Sequence, residues 1–295
     1  MTSLSILITS RNEPDTIGQA IEACLRDLPA DGEIIVVCPD PPTRAVVMEW
    51  AARDERVRHL YDMGRGKPAA LNLGVKAAKG EIVAFTDGDV QIDRGALPAL
   101  LLPLQKAQVG AVTGRPISVS PRDTMLGYWS HLLTDAAHAA RQSRQMSGQF
   151  LLCSGYWFAA RRALIPHIPE DALAEDAVIS HRIAEQGWQI AYAPQARVWV
   201  KYPTTYADWL RQKVRSAGGY VQDYIMRSSV HMRSARTEAQ EGAGFAWRYG
   251  RNWREKLWTV ALFAARLHLW ALVYWRVRVR KVPLARLWQR VASTK

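Results

Sequence analysis

The chain has 295 residues, room for one large domain or one and a half, and its 48% hydrophobic and 22% charged content is that of a globular protein with a real core. Three cysteines, Cys24, Cys38 and Cys153, lack metal-like spacing and lie in apolar surroundings, so they read as small core residues in a reducing compartment. A net charge of +12 favours anionic partners: nucleotide phosphates, nucleic acid or an acidic membrane surface. Met1-Thr2-Ser3 runs straight into a strand, Leu4 to Thr9, and no secretory signal is expected. Asn12-Glu13-Pro14-Asp15-Thr16 opens a helix through Leu25, Glu33 to Val37 is a second strand, and Thr43 to Ala52 a second helix. Val57 to Tyr61 is a third strand, and Lys67 to Ala78 a helix with Leu71, Val75 and Ala78 on one face. Ile82 to Phe85 is a fourth strand, followed by a helix from about Arg94 to Lys106 and a return to the sheet at Ala111 to Thr113. This alternation predicts an α/β fold with a mostly parallel, doubly wound sheet flanked by helices.

The second half is less regular. Thr124 to Gln142 reads as a helix, and Phe150 to Ala159 as an apolar, aromatic run. Ala177 to Gln186 is a helix closed by Gly187, Ile190 to Ala193 and Val198 to Val200 are short strands, and Tyr206 to Tyr224 is one long helix. Ser228 to Gly244 is polar and carries glycines, so it reads as a mobile loop or linker.

The most informative stretch is Gly80 to Asp89, where a short apolar strand ends in two acids, Asp87 and Asp89, around Gly88. Acids at the carboxyl end of such a strand lie where open α/β sheets bind ligands, and two hard oxygens suit a divalent cation that keeps positions for phosphates. An Asp-Gly turn with solvated acids is the other reading. Lys67, between Gly66 and Pro68, sits at a helix N-terminus, where it either meets a phosphate or lies at a solvated turn. Glu175 and Asp176 precede a helix and read as caps or as a general base, two roles one residue can combine. Gln212 and Arg215 are three apart on a helix, so they share a face that either grips an anion or meets solvent.

The order of these motifs resembles glycosyltransferase family 2, the nucleotide-sugar transferases with a GT-A fold. The resemblance rests on Ile6-Leu7-Ile8-Thr9-Ser10-Arg11-Asn12-Glu13, on Gly66-Lys67-Pro68-Ala69-Ala70-Leu71-Asn72 and on Gly80-Glu81 leading to Asp87-Gly88-Asp89. It continues through Gly155, Arg161-Arg162, Glu175-Asp176, Gly187-Trp188 and Tyr192-Ala193-Pro194 to Tyr202-Pro203-Thr204-Thr205 and Gln212-Lys213-Val214-Arg215. It implies that Asp89 holds a metal, Mg2+ or Mn2+, and that Asp87 touches the nucleoside or the metal. Gln91 matches a glutamine in the metal shell of the dolichyl-phosphate mannose synthases, and Asp176 matches the catalytic base. Gln212 and Arg215 match the Gln-x-x-Arg-Trp signature of the cellulose and hyaluronan synthases. Ser216 stands where that signature has tryptophan, so processive polymer synthesis is not implied. Where the family places acids against the base, Asp40 is the one acid in Val37-Cys38-Pro39-Asp40-Pro41-Pro42.

The last segment is basic and rich in tryptophan. From Arg251 to Arg290 the basic residues stand against one acid, Glu255. Leu257 to Trp275, at about 1.5 Å per residue, falls just short of a membrane core of roughly 30 Å. Arg266 and His268 sit in its middle, where an arginine costs about 2.5–3.5 kcal/mol. A helical wheel puts Arg251, Glu255, Thr259 and Arg266 opposite Leu257, Val260, Ala261, Ala264 and Ala271. That predicts a helix in the membrane interface, with Arg276 to Lys281 drawn to anionic lipid; packing on the chain's own domain or on a partner is the other reading.

The expected organisation is a GT-A domain over residues 1–224, a mobile linker or gating loop over 225–249, and basic amphipathic membrane-interface helices over 250–295. The expected function is a metal-dependent, inverting transfer from a nucleotide-diphosphate sugar, UDP-linked by default, to a lipid-linked or glycan acceptor. Lys67, Asp87, Glu175, Gln212, Arg215 and Asp40 would hold substrate, and the protein would sit at the cytoplasmic face of a membrane. A silent nucleotide-sugar-binding scaffold is one alternative. A nucleic-acid-binding protein is another, but no recognisable motif supports it, so nucleic acid is not an expected partner. A chain ending near Gly244 is expected to stay folded and soluble.

Overall fold

The computed structural model describes residues 3–219, 222–228 and 235–279. Its first elements are β1 (Leu4–Thr9), α1 (Pro14–Leu25), β2 (Glu33–Val37), α2 (Pro41–Arg53), β3 (Val57–Leu60), α3 (Lys67–Ala77) and β4 (Ile82–Asp87). Then come β5 (Gln91–Ile92), α4 (Ala96–Leu101), β6 (Val109–Ser118), α5 (Met125–Met146), β7 (Trp157–Arg161) and α6 (Glu175–Glu185). β8 (Gln189–Val200), α7 (Tyr206–Gly219), α8 (Asp223–Met226), α9 (Ala235–Tyr249) and α10 (Trp253–Tyr274) follow.

The strands form one sheet of eight in the order β3-β2-β1-β4-β7-β6-β8-β5. The β1–β2, β1–β4, β2–β3 and β6–β8 ladders are parallel, and β7 and β5 run antiparallel to their neighbours. Every residue of β1 is buried, as a central strand covered on both faces must be. Ile6, Ile8, Ile34, Val36 and Ala84 point into one core, while Leu7, Ile35, Val37, Val83 and Phe85 point into the other. Phe85 stacks on Phe158 of β7 with ring centroids 4.5 Å apart. All three cysteines are free thiols buried in these cores.

Several elements differ from the sequence reading. The two short strands expected near Ile190 and Val198 are one strand, β8, because a register irregularity between its pairings at Tyr192 and Arg197 absorbs Pro194. The helix expected to Lys106 stops at Leu101 and tightens into a 3-10 turn at Leu102–Gln105, where Pro103 lacks the donor an α-helix needs. The helix expected to Tyr224 ends at Gly219, residues 220 and 221 lie outside the described residues, and α8 follows.

Most of the expected linker is a helix, α9; residues 229–234 lie outside the described residues. Gly242 and Gly244 suggest a break, but Ala, Glu and Gln favour helix, and Ala246 packs with Tyr128, Trp129 and Leu262. The wheel of α10 is also turned. Glu255 and Thr259 face inward with Leu262, Ala265, Leu269 and Val273. Arg122 pairs with Glu255 at 3.0 Å, and Tyr249 accepts from Arg122 at 2.8 Å and donates to Asp135 at 2.6 Å. The hydroxyls of Tyr128 and Thr259 lie 2.7 Å apart, and Trp129 donates to the Trp258 carbonyl at 2.7 Å. A buried polar stripe satisfied by partners on another helix marks a docked helix. Residues 280–295, and with them part of the Arg276 to Lys281 run, lie outside the described residues.

This packing reverses the expectation for truncation. A chain cut after Tyr249 bares Tyr128, Trp129 and Trp209, each worth about 1.5–3 kcal/mol when buried. It is expected to aggregate or to melt far below the full chain in scanning calorimetry. A monomeric truncate with an unchanged melting temperature would make the tail an appendage.

Candidate active site

The site is built where strand and helix ends meet. Asp87 is the last residue of β4, and the Thr9 hydroxyl at the end of β1 donates to its Oδ1 at 3.0 Å. Between Asp87 and Asp89 only glycine has room. A Cβ on Gly88 would lie 2.5 Å from Ser10 Oγ and 2.6 Å from Glu13 Oε2, atoms that hydrogen-bond each other at 2.7 Å. Gly66, at φ +117°, turns the chain so that Lys67 begins α3. Lys67 Nζ lies 2.7 Å from Asp87 Oδ1 and 3.0 Å from Glu175 Oε1. The lysine thus ties the strand-end acids to the start of α6 instead of lying at a solvated turn. Burial pushes its pKa down, but the two carboxylates outweigh this and hold it above the ordinary lysine value.

Asp176 is the second residue of α6. Its Oδ2 accepts the Gly155 N–H and its Oδ1 the Ala177 N–H, both at 2.9 Å. The N-cap is Ala174, which makes no side-chain bond, so Asp176 serves the helix end from inside the first turn. Burial and the neighbouring Glu175 charge push the Asp176 carboxyl above the usual aspartate range, against the pull of Lys67 and the two N–H groups. Burial pushes Glu175 up as well, but Lys67 and then Arg215 bring it below the usual range. Asp89 is raised to about 6 by burial and by the Asp87 charge.

A pH effect follows. A base works only when ionised, so with Asp176 as the base its raised carboxyl would place the acid limb of the rate profile above the ordinary aspartate value of about 3.9. Glu175→Gln removes a negative neighbour, lowers the Asp176 pKa and is expected to move that limb to lower pH. A limb that stays put, read from kcat/KM against pH, would separate Glu175 from the base.

These groups line a cavity of about 620 Å³, within the size range of cofactor and ligand sites. Of the residues singled out in the sequence, Lys67, Asp87, Asp89, Glu175, Asp176, Gln212 and Arg215 line it together. Arg211 instead pairs with Asp208 at 2.7 Å and is not part of the cavity lining. Gln212 Oε1 is buried with no hydrogen-bond partner among the described residues, an acceptor placed for a ligand O–H or N–H. Ser216 Oγ donates to the Gln212 carbonyl at 3.1 Å and lines the cavity where a tryptophan would fill space.

Two expected residues are elsewhere. Asp40 is spent on capping: its carboxylate accepts from Thr43 N–H at 3.0 Å, from the Thr43 hydroxyl at 2.6 Å and from Asn12 N–H at 2.7 Å. Asp62, just past β3, lines the cavity with Val37 and Pro39 and accepts the Gly64 N–H at 3.0 Å. Gln91 is exposed on the edge strand β5, its Nε2 3.5 Å from Gln19 Oε1. Pairing of Gln91 with Trp199 turns it away from the cavity, so it is not placed as a metal ligand. Arg141 of α5 and Arg266 of α10 also line the cavity. Sequence spacing gives no signal for them, because they come from helices that meet only in the fold.

Among the described residues no group of three or more His, Cys, Asp or Glu is arranged to hold a metal alone. Asp87 and Asp89 nevertheless fit a hard divalent cation that takes its other ligands from water and phosphate. Burial first and the Asp87 charge second raise the Asp89 carboxyl, and such a cation would supply counter-charge there.

A sheet of this order with acids at the end of β4 and a carboxylate at the start of α6 defines a GT-A glycosyltransferase. The chain belongs to glycosyltransferase family 2: the model described as "Glycosyltransferase like family 2" matches residues 2–219. It is 28% identical over 232 residues to a probable glycosyltransferase, YdaM, of Bacillus subtilis, covering 74% of this chain and 55% of that protein. It is 25% identical over 223 residues to a poly-beta-1,6-N-acetyl-D-glucosamine synthase of Staphylococcus epidermidis, covering 73% and 54%. The chain thus spans about half the length of these relatives. A mannosyltransferase of Pyrobaculum calidifontis, solved with GDP-Man and Mn2+, shares the fold with a TM-score of 0.62 at 21% identity, over 97% of this chain and 82% of that one.

Proposed function

We propose that the protein is a metal-dependent, inverting glycosyltransferase that moves a sugar from a nucleotide-diphosphate donor, UDP-linked by default, to a lipid-linked or glycan acceptor. The observation that carries this is the juxtaposition, in one cavity, of the Asp87–Asp89 pair, the Lys67 tie and the buried Asp176. The base of the donor lies toward Asp62, and the diphosphate lies near Asp89 and Arg215. Arg215 already bears electrostatically on Asp89 and Glu175, so it is placed to stabilise charge on the leaving phosphate. Mg2+ or Mn2+ held by Asp89 with Asp87 would neutralise diphosphate charge there. Asp176, fixed by the Gly155 N–H, takes the proton of the acceptor hydroxyl as that oxygen attacks the anomeric carbon. A single base and a single displacement invert that centre.

The named relatives support a cell-envelope glycan as the setting. α10 supports association with an anionic membrane, held peripherally or monotopically, and we set it at the cytoplasmic face. It is 22 residues long and apolar enough to cross a bilayer by composition, yet one side is docked. Its outward side carries Leu257, Val260, Phe263, Leu267 and Tyr274, a stripe suited to the headgroup boundary. The stripe shares Leu257 and Val260 with the apolar side foreseen, while Glu255 and Thr259 of the polar side meet the protein and not water.

A donor-by-donor assay with Mn2+ or Mg2+ tests the reading and separates an enzyme from a silent scaffold. Asp89→Ala is expected to abolish metal-dependent donor binding in calorimetry. Mn2+ raising donor affinity in that variant as much as in the unmodified protein would remove Asp89 as a ligand.

A further inference from the structure

The outward side of α10 repeats every seven residues. Trp253, Val260, Leu267 and Tyr274 form one row, and Leu257, Ala264 and Ala271 form a second row between them. All seven are exposed, Trp253 at 74% and Leu267 at 73%. Glu255, Thr259, Leu262, Leu269 and Val273, which dock the helix, lie on its other side. Two apolar rows with a period of 3.5, kept up over three heptads, are the pattern of a helix that pairs with another helix. A continuous apolar surface of this kind is covered by a partner or a bilayer.

The order of sizes along the rows decides between the ways of covering it. Parallel to a copy of itself, α10 stacks each residue on its own kind. Ala264 and Ala271 then meet alanine and leave two thin layers, while Arg254 and Lys256, exposed beside the N-terminal end, crowd their own copies. Antiparallel, each row meets the other. Trp253 falls opposite Ala271, Val260 opposite Ala264, and Leu257 opposite Leu267. The bulkiest side chain meets one of the smallest, so the helices keep an even separation, and Tyr274 falls opposite Gly250. The basic ends part to opposite ends of the pair, and the helix dipoles oppose. A bilayer asks for apolar area on one side of a helix and sets no order of sizes along it.

We propose that in solution a second copy of this chain covers the outward side of α10, the two helices antiparallel about a two-fold axis at the level of Leu262. A two-fold pair of this kind uses one patch twice, closes on itself and stops at two. The proposal is independent of the transferase reading. A bilayer that meets α10 takes the same side in exchange for the second copy.

Sedimentation equilibrium of the full chain without lipid is expected to show a dimer. Leu267→Glu, on a largely exposed side chain, is expected to weaken it about tenfold or more and to leave the circular dichroism spectrum unchanged. Val260→Lys, at an exposed position on the same row, is a second variant with the same expected effect. Spin labels read the direction of the pair, because the native cysteines are all buried and an added one takes the label. A label on Ala271→Cys is expected about 27 Å along the axis from its copy, and one on Ala264→Cys about 6 Å, at about 1.5 Å per residue. Both labels close to their copies would mean a parallel pair and overturn the proposal. A dimer untouched by Leu267→Glu and Val260→Lys would place the contact elsewhere and overturn it as well. A monomer that floats with phosphatidylglycerol vesicles, and loses them on Leu267→Glu, would give the side to lipid alone and overturn it too.

Discussion

Asp176→Asn is expected to lower sugar transfer by about two to four orders of magnitude while the protein stays folded and binds donor normally. Asparagine keeps one oxygen for the Gly155 N–H and gives up only the bond from the adjacent Ala177 N–H, so the anchor between the two segments survives. It removes a buried charge beside Glu175, whose repulsion raises the Asp176 pKa, so the melting temperature should hold or rise. Transfer kinetics, donor calorimetry and a thermal melt on one preparation separate the two roles. Near-normal transfer would leave Asp176 as an anchor for Gly155 and nothing more. Loss of folding together with activity would say that the carboxylate is needed for structure.

Lys67→Met is expected to cost about 3 kcal/mol of folding stability at neutral pH, the low end for breaking a buried ion pair. Methionine keeps the length of the stem but strands Asp87 and Glu175, whose side chains are 23% and 14% exposed, without their shared counter-charge. The sign of the pH dependence checks the mechanism. Lys67 holds the native Glu175 pKa below its usual value, so that part of the stability is full above the unfolded value of about 4.3. It fades as pH falls through the native value. The gap between wild type and Lys67→Met, measured by urea unfolding, should therefore be widest near neutrality and close toward acid pH. Unchanged stability with a selective loss of donor affinity would return Lys67 to the role of a plain phosphate contact.

What the sequence made legible was local. The strands of the first half carry their own signal, since buried runs such as Ile34 to Val37 are short, β-branched and bounded by turn residues. Asp87, Gly88 and Asp89 were legible for the same reason, because the strand that aims them is contiguous with them. Lys67 could be placed at a helix start, but its bond to Glu175 spans two distant segments, and no periodicity encodes that. Asp40 and Gln91 were taken from motif position. One is drawn off by a local cap, the better offer for an aspartate three residues before a helical N–H, and the other is turned away by an edge pairing. Asp62, Arg141 and Arg266 required the fold. α9 was missed because two glycines outweighed good helix formers in a reading blind to α5. The stripe of α10 was found with its polar side misassigned, since a wheel gives the angle between two faces and not which one meets protein.

The docking of α10 onto α5 also has a consequence for how the molecule is made. The first residue of α10 follows the last of α5 by 107 positions, 253 minus 146. At about 5–20 residues per second, roughly 5–20 s of synthesis separate them. Through that interval Tyr128 and Trp129 have emerged without the helix that covers them, Arg122 lacks Glu255, and the far wall of the cavity does not exist. The sheet can close early from local pieces. The catalytic chamber is complete only when almost the whole described chain has left the ribosome, and the nascent protein carries a sticky aromatic surface until then.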